Sequence, residues 1–564
     1  MPDKPRKVPA QRGFSVSYQG KTLLSRIDPV SQGERLAKAA PKTERTLYLC
    51  PSPLCGYGLE SLLAAMPSCS AALCVEAEPA LAALTAEALS GLLANYPHSI
   101  VFAGYADPER VCAVIRGHWG SRSFRRVEVL RLSGGWRLHA PAYDALAQAI
   151  GRNLATDWGN AVTLTRLGRR YIWNALRNLR LLPLASPLKD LDYGDAPVLV
   201  LGAGPSLDRA LSGLGEVLSC PRRLCKIICV DTALLSLSDR NVPPDLVVAL
   251  ESQHWNLADF VGAGFDPPPR LAMDLSALPG TWDALGSETY LFATPWTSLR
   301  FFGRLKAAGL LPETVPPLGS VGLTAAALAL RLSKGPVITA GIDFSYTLEA
   351  FHARSAPGSR RLFREQTRFK TLLQGDAAFA PGASAAVSKT GVPVRTNPAL
   401  KAYRDLFERH FSGEGRIRDL AGSGLPLGAQ VVSLYEAAAI LRGGGGARIA
   451  GQGAARPRRL AGNRPLQEAV EDFIRRERDG LMALRDMLTG AAGGPAAAAA
   501  LEELLDASDY LWAHFPECAG AEGWRPPVSD RSFLNRVRAE LDPLIHLLAP
   551  PPCAPEGGFT CFSR

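Results

Sequence analysis

A glycine-rich turn is the feature of this chain best suited to hold a ligand. The apolar residues 198–201 predict a buried strand, and a Gly-Ala-Gly-Pro-Ser turn follows at residues 202–206. A strand that turns through Gly-x-Gly into a helix brings backbone N–H groups and the positive end of a helix dipole to one point. We therefore expect Gly202, Gly204 and Ser206 to bind a nucleotide phosphate. A leucine replaces the third glycine of the full dinucleotide motif, so a plain tight turn without a ligand stays open.

Polar residues follow several other apolar runs of the same region. Asp231 follows residues 226–230, Glu251 follows residues 244–250, and Asp343 comes shortly after residues 336–340. Helical stretches separate these runs, which indicates a parallel α/β sheet, and such sheets bind ligands beyond the carboxyl ends of their strands. The residues that we expect at this edge are Asp231, Glu251, Ser320 and Asp343. Each acid taken alone is also consistent with a helix cap or a turn.

The chain divides into three predicted regions. Residues 1–185 form a smaller α/β domain, residues 186–425 a Rossmann-like central domain, and residues 426–564 a helical region. The helical region has amphipathic spacing, so its segments either grip a partner or complete the core of the central domain. The predicted fold class is therefore α/β with a C-terminal helical addition.

A second, weaker ligand pattern lies in the N-terminal region. A strand at residues 46–50 leads to Gly56 and Gly58, and a second strand at residues 71–75 ends in Glu76. This pattern also occurs in nucleoside-binding, methyltransferase-like units. Because no polar catalytic cluster follows it, we favour a structural or partner-binding copy.

The composition of the chain indicates which class of protein it resembles. The 564 residues include 47% hydrophobic and 21% charged residues, as in ordinary globular enzymes. The sequence has no uninterrupted apolar run of membrane-spanning length, no signal peptide and no nucleic-acid-binding signature, so we expect a cytoplasmic protein without membrane or nucleic-acid partners. The eleven cysteines lack Cys-x-x-Cys spacing, which disfavours a zinc site. A net charge of +10 fits a phosphate-bearing ligand or an acidic partner, and also solubility alone.

These motifs together resemble a known family. Residues 202–207, Asp231 and residues 319–346 are similar to the central domain of the motility-associated factor (Maf) family of flagellin glycosyltransferases, which is grouped with MptE-like 6-hydroxymethylpterin diphosphokinases. The same motifs resemble bacterial sialyltransferases that use CMP-sialic acid. Residues 18–29 and 160–179 extend the resemblance, which covers most of residues 14–430.

Three positions depart from the sialyltransferase pattern. Ala203 stands where those enzymes have an Asn between the glycines, and Asp231 also stands where they have an Asn. Ser345 separates Gly-Ile-Asp-Phe from Tyr346, whereas the tyrosine follows directly in the sialyltransferases. The assignment of a phosphate contact to Tyr346 depends on accepting this insertion.

The resemblance implies a reaction. A nonulosonic, sialic-acid-like sugar passes from a CMP donor to a Ser or Thr hydroxyl of flagellin, in support of flagellar assembly and motility. In this scheme Tyr346 stabilises the departing phosphate, His352 accepts the proton, and Asp343 orients substrate hydroxyls or binds a metal. The turn residues Gly202, Gly204 and Ser206, together with Gly319 and Ser320, hold the phosphate, and Asp231 and Glu251 contact the nucleotide. We expect no tightly bound cofactor, although Mg²⁺ stays possible.

Two other functions remain open. An MptE-like enzyme transfers pyrophosphate from ATP to a hydroxymethylpterin, and Asp231, Glu251 and Asp343 would then hold Mg²⁺. The large additions on both sides of the central domain argue against this small-molecule reaction. A non-catalytic flagellin-binding scaffold that retains the fold is the third possibility, and Ala203 slightly favours it.

Overall fold

The computed structural model describes residues 4–220, 223–348, 350–371, 382–443, 462–490, 495–521 and 523–550. These residues group into two compact units. The first comprises Met1–Arg166 and Trp512–Arg525, and the second comprises Leu167–Leu511 and Pro526–Arg564. The division into three regions at residues 185 and 425 stays a prediction.

The first unit contains a small parallel sheet. Its strands are β1 (Arg6–Pro9), β2 (Phe14–Tyr18), β3 (Lys21–Thr22), β4 (Thr46–Pro51), β5 (Ala71–Val75), β6 (Ile100–Ala103) and β7 (Arg126–Val129). Its helices are α1 (Pro29–Ala39), α2 (Leu59–Ala65), α3 (Pro79–Asn95), α4 (Pro108–Trp119) and the first part of α5 (Ala140–Leu179). Strands β1–β3 form an antiparallel sheet, and the parallel sheet has the order β6-β5-β4-β7. This sheet confirms the α/β pattern that the sequence predicts.

The second unit contains the larger sheet. The strands of this unit are β8 (Val198–Leu201), β9 (Lys226–Val230), β10 (Leu246–Ala249), β11 (Arg270–Asp274), β12 (Thr289–Phe292), β13 (Val337–Ala340), β14 (Ser384–Val387), β15 (Pro393–Thr396), β16 (Ile417–Leu420) and β17 (Gln430–Val432). Strands β14 and β15 form a separate antiparallel hairpin. Besides the end of α5, its helices are α6 (Leu207–Gly213), α7 (Gly215–Leu218), α8 (Leu234–Ser238), α9 (Leu257–Phe260), α10 (Thr281–Ala284), α11 (Arg300–Ala307), α12 (Val321–Leu332), α13 (Pro357–Glu365), α14 (Pro398–Phe411), α15 (Leu434–Arg442), α16 (Arg464–Thr489), α17 (Pro495–Ala507) and α18 (Arg531–Leu547).

The larger sheet has eight parallel strands in the order β12-β11-β10-β9-β8-β13-β16-β17. Val198 in β8 pairs with Lys226 of β9 on one side and with Val337 of β13 on the other. The chain order therefore reverses between β8 and β13, which is where ligands bind in doubly wound folds. The sheet confirms the predicted Rossmann-like class.

Four strands of this sheet are absent from the sequence prediction: β11, β12, β16 and β17. Strand β17 lies at the start of a segment predicted to be helical, residues 431–441. The helix there begins only after Ser433, whose hydroxyl accepts from the N–H of Glu436 while the Glu436 carboxylate accepts from the N–H of Ser433. This capping box ends the strand and starts the helix.

The C-terminal helices share the core of the second unit. Phe301 of α11 is fully buried, and its ring lies 6.2 Å from that of Phe473 in α16 and 5.4 Å from that of Tyr510. Arg304 donates to both carboxylate oxygens of Glu477 at 2.7 and 2.8 Å. These contacts favour a role for the helices in completing the core. Within the described ranges, no helix combines the length and apolar character needed to cross a membrane.

Candidate functional site

The glycine-rich turn after β8 packs directly against the turn after β13. The N–H of Gly202 donates to the carbonyl of Ala340, and that of Gly204 donates to the carbonyl of Gly341, each at 2.8 Å. A Cβ on Gly202 would lie 2.4 Å from the Gly341 carbonyl oxygen, and one on Gly204 would lie 2.5 Å from a carboxylate oxygen of Asp343. Both glycines are therefore needed for the close approach of the two turns, whether or not a ligand is bound.

Asp343 joins the two turns through hydrogen bonds to Ser206. Its Oδ2 accepts from the N–H of Ser206 at 2.7 Å, and its Oδ1 accepts from the Ser206 hydroxyl at 2.6 Å. The side chain is 3% exposed, and burial raises the pKa of the Asp343 carboxyl against the opposing effect of these hydrogen bonds. The N–H groups of Gly202, Gly204 and Ser206 thus all donate within the protein. Their role as phosphate donors stays a prediction, and it would require the turn to exchange these hydrogen bonds for a ligand.

A buried ion pair lies beside Asp343. Lys389 Nζ lies 2.6 Å from Asp419 Oδ2, and both side chains are 1% exposed. Burial raises the pKa of Asp419 to about 6, although the positive charge of Lys389 lowers it. The same lysine lowers the pKa of Asp343. Sequence reasoning missed this pair because Lys389 lies in a hairpin loop far along the chain from the motifs.

Asp231, at the end of β9, belongs to a second acidic group. Asn256 Nδ2 donates to Asp231 Oδ2 at 2.8 Å and to Asp259 Oδ2 at 3.2 Å. Burial raises the pKa of Asp231 to about 6. Burial, followed by the charge of Asp231, raises the pKa of Asp259 to about 7. The sequence prediction included Asp231 but missed Asn256 and Asp259, which a short helical turn after β10 brings to it.

Glu251 lies exposed just beyond β10, as expected for a strand-end acid. The loops beside it are held by two asparagines of α5. Asn174 Nδ2 donates to the carbonyls of Ser252 and Ser276, each at 3.1 Å. Asn178 Nδ2 donates to the carbonyls of Leu275 and Ala277 at 2.9 and 2.8 Å. The buried asparagines therefore position the loops at the carboxyl ends of β10 and β11, since an unpaired buried carbonyl is costly.

Gly319 and Ser320 precede the twelve-residue helix α12. Gly319 is exposed with φ +67°, and Ser320 is the N-cap residue in an extended conformation. The first N–H groups of a helix have no partner within the helix, and no side chain in the described part of the protein caps those of α12. This helix end is the strongest candidate for holding a phosphate at the carboxyl edge.

Tyr346 and His352 lie in the segment after β13. Tyr346 is 3% exposed; its backbone pairs with Arg395 and its ring lies 5.0 Å from that of Phe351. His352 is exposed at the surface, but the protein surrounding its imidazole desolvates the ring and lowers its pKa. The next residue, Ala353, donates its N–H to the carbonyl of Ala203 at 2.9 Å, which pins the His352 segment to the glycine-rich turn. The imidazole is therefore neutral near pH 7 and can accept a proton.

The carboxylates of Asp231, Glu251 and Asp343 are not grouped as metal ligands in the described part of the chain. Asp343 accepts hydrogen bonds through both of its oxygens, and so does Asp231. Across the described ranges, no three His, Cys, Asp or Glu side chains are grouped so that they could hold a metal ion. The Mg²⁺ set of Asp231, Glu251 and Asp343 therefore does not fit this arrangement.

In the N-terminal unit, the acidic residue of the predicted ligand pattern, Glu76, is hydrogen-bonded to other groups of the protein. The carboxylate of Glu76 accepts from the Ser52 hydroxyl at 2.7 Å, from the Glu78 N–H at 3.0 Å and from the Tyr143 hydroxyl at 3.3 Å. Glu76 is buried. These contacts favour the structural interpretation of this unit, which stays a prediction.

Known proteins are similar to this chain in sequence and in fold. Residues 170–349 match the family model for 6-hydroxymethylpterin diphosphokinase MptE-like proteins. An uncharacterized protein of Treponema pallidum (strain Nichols) is 31% identical over 562 residues, which cover 97% of this chain and 95% of that relative. The solved MAf glycosyltransferase of Magnetospirillum magneticum AMB-1 is similar over 97% of this chain and 91% of its own, with a TM-score of 0.53 and 14% identity.

The chain belongs to the Maf/MptE-like family. The family match spans the glycine-rich turn, Asp231, Glu251, Ser320 and Asp343, and it ends before His352. At 14% identity the MAf glycosyltransferase shows a shared fold. The family assignment that the sequence motifs predict is confirmed.

Proposed function

We propose that this protein is a glycosyltransferase that moves a nonulosonic sugar from a CMP donor to a Ser or Thr hydroxyl of flagellin. The observation that carries the proposal is the carboxyl edge of the larger sheet. There the uncapped start of α12 and the neutral His352 accompany a fold shared with the MAf glycosyltransferase. These are an anion-binding group and a proton acceptor, the two groups that sugar transfer from a nucleotide requires.

The proposed reaction exchanges one C–O bond for another. The bond between the anomeric carbon and the CMP phosphate oxygen breaks, and the phosphate leaves as part of CMP. The acceptor hydroxyl adds to the anomeric carbon and gives its proton to His352. Backbone N–H groups of residues 321–323 would stabilise the charge on the departing phosphate, and Tyr346 keeps its proposed role beside it.

The proposal extends to the partner and the compartment. Flagellin is the proposed acceptor, and the cytoplasm is the proposed place of modification, in support of flagellar assembly and motility. The MAf glycosyltransferase supports the transferase class, while the donor and the acceptor come from the resemblance to Maf proteins and sialyltransferases.

A transfer assay tests the proposal. The protein is incubated with CMP-N-acetylneuraminic acid and purified flagellin in EDTA, and intact-protein mass spectrometry follows the flagellin. We expect a mass increase of one sugar and release of CMP, both strongly reduced in His352→Gln. No modification with this or other CMP-activated nonulosonic acids would contradict the proposal.

Pyrophosphate transfer is the second candidate, because the matching family model is named for 6-hydroxymethylpterin diphosphokinases. It would need Mg²⁺, and the carboxylates proposed to hold the ion are hydrogen-bonded elsewhere. Incubation with ATP, Mg²⁺ and 6-hydroxymethylpterin tests it directly, and formation of the diphosphate would favour this reaction. A scaffold without catalytic activity would give no product in either assay while still binding flagellin.

A further inference from the structure

Tyr171 of α5 lies at the carboxyl edge next to Glu251. It precedes Asn174 by three residues and Asn178 by seven, so all three side chains share one face of the helix. Asn174 binds the carbonyl of Ser252, the residue after Glu251. One turn earlier, Tyr171 meets Trp296 edge to face, with their ring centroids 5.2 Å apart.

Tyr403 of α14 approaches the same edge from the start of α12. A Cβ placed on Gly319 would lie 3.1 Å from Tyr403 Cε1, so the ring lies directly against this glycine. The Tyr403 ring centroid is 6.3 Å from that of Phe344, in the turn that follows β13. Tyr403 therefore lies between the proposed phosphate-binding helix end and the switch point of the sheet.

The two tyrosines and Glu251 form one electrostatic group. Burial raises the pKa of Tyr171 to about 12, and the charges of Glu251 and Tyr403 add to this effect. Burial and then Glu251 raise the pKa of Tyr403. Both hydroxyls stay protonated at neutral pH and can donate hydrogen bonds. Among the residues that the structure describes, neither hydroxyl has a hydrogen-bond partner, so both remain available to a ligand.

We propose that Tyr171, Tyr403, Trp296 and Glu251 form the subsite for the sugar ring of the donor. This inference rests on the proposed function and names a part of its site. The aromatic faces supply apolar surface for the carbon skeleton of the ring, the two O–H groups donate to its oxygens, and the Glu251 carboxylate accepts from its hydroxyls. Nothing in the sequence motifs points to Tyr171 and Tyr403 as a pair, because they lie on two helices 232 residues apart.

Isosteric variants test the subsite. Tyr171→Phe and Tyr403→Phe each remove one hydroxyl, Glu251→Gln removes the negative charge, and all three keep the shape of the side chain. Tyr435→Phe is the matched control, since Tyr435 is 85% exposed on α15. Calorimetry measures the binding of CMP and of the inert donor analogue CMP-3-fluoro-N-acetylneuraminic acid to each protein, and saturation-transfer NMR measures the binding of free N-acetylneuraminic acid.

We expect Tyr171→Phe and Tyr403→Phe to bind CMP within about twofold of the wild type. All three variants should bind the analogue about fivefold more weakly or worse, since one hydrogen bond is worth roughly 1 kcal/mol. The control should match the wild type with both ligands. If all three variants bind the analogue as the wild type does, the subsite is wrong while the CMP site stands. If the wild type binds no CMP, the proposed function fails. In that case the binding of free N-acetylneuraminic acid tests the subsite. A saturation-transfer signal that the wild type shows and the three variants lose would support the subsite. The absence of this signal in the wild type would overturn it.

Discussion

Asp231 and Asp259 share the amide of Asn256, and this arrangement makes the stability of the protein depend on pH. The pKa values of about 6 and about 7 lie above the unfolded value of about 3.9. The folded state therefore binds protons more tightly than the unfolded state does. Its stability is highest when both groups are protonated, and it falls as the pH rises through their folded pKa values.

Replacing Asp259 with Asn should weaken this pH dependence. The variant lacks the second charge, which is half-buried, so we expect it to be more stable than the wild type at pH 8 by about 1 kcal/mol and to differ little at pH 5. Thermal melts at the two pH values measure the effect. Asp479→Asn, at an exposed position on α16, is the control. If Asp259→Asn and the wild type lose the same stability between pH 5 and pH 8, the raised pKa of Asp259 does not cause the pH dependence.

Although His352 is exposed at the surface, desolvation by the neighbouring protein lowers the pKa of its imidazole. An imidazole with a lowered pKa stays neutral to a lower pH, so a rate that needs neutral His352 should persist below pH 6.5. We expect the acid limb of the transfer rate to have its midpoint below 6.5. His352→Gln should lose this limb and most of the rate, typically by about a hundredfold or more. A midpoint that is unchanged in His352→Gln would assign the titrating group to another residue.

The strand-end residues could be predicted from sequence, while their partners could not. Asp231, Glu251 and Asp343 each follow an apolar run that marks a strand, so their common edge follows from the parallel topology. Asn256 and Asp259 lie in a helical turn and Lys389 in a hairpin, and only tertiary packing brings them to the acids. The hydrogen bonds of Asp343 to Ser206 likewise follow from the contact between two distant turns.

At the scale of elements, the start of α12 allows a charge test with a matched control. Asp and Asn are both favourable N-cap residues, so Ser320→Asp and Ser320→Asn should both preserve or strengthen the helix. Only Asp adds a negative charge where the phosphate is proposed to bind. We expect CMP affinity to fall about tenfold or more in Ser320→Asp and to change little in Ser320→Asn. Equal CMP affinities in the two variants, with unchanged melting temperatures, would place the phosphate elsewhere.

The elements themselves were predictable where local signals were strong. Strands β8 and β9 begin and end where the apolar runs predict, and α14 matches residues 398–411. Three of the four missed strands are short and contain charged or polar residues: Arg270 and Asp274 in β11, Arg418 and Asp419 in β16, and Gln430 in β17. Their pairing in the sheet depends on neighbouring strands, which no local pattern reveals.

At the scale of the whole molecule, the C-terminal helices contribute to the core of the second unit. A chain ending at residue 443 would lose Phe473, Glu477 and Tyr510 and expose the fully buried Phe301. We expect this truncated chain to be insoluble or to melt without a cooperative transition, since exposing one large buried aromatic typically costs about 3–5 kcal/mol. Size-exclusion chromatography and thermal melting measure this. If the truncated chain is soluble and melts cooperatively, the helices are not needed to complete the core, and a role in binding a partner is favoured instead.

The carboxyl edge of the larger sheet is proposed to bind a CMP-activated sugar. Calorimetric titration of the full-length protein with CMP in EDTA tests it most directly, with ATP and Mg²⁺ titrated in parallel. We predict one CMP site that needs no metal, with affinity that Ser320→Asp weakens and Ser320→Asn retains. Binding of ATP with Mg²⁺ in the absence of any CMP binding would contradict the account and favour pyrophosphate transfer.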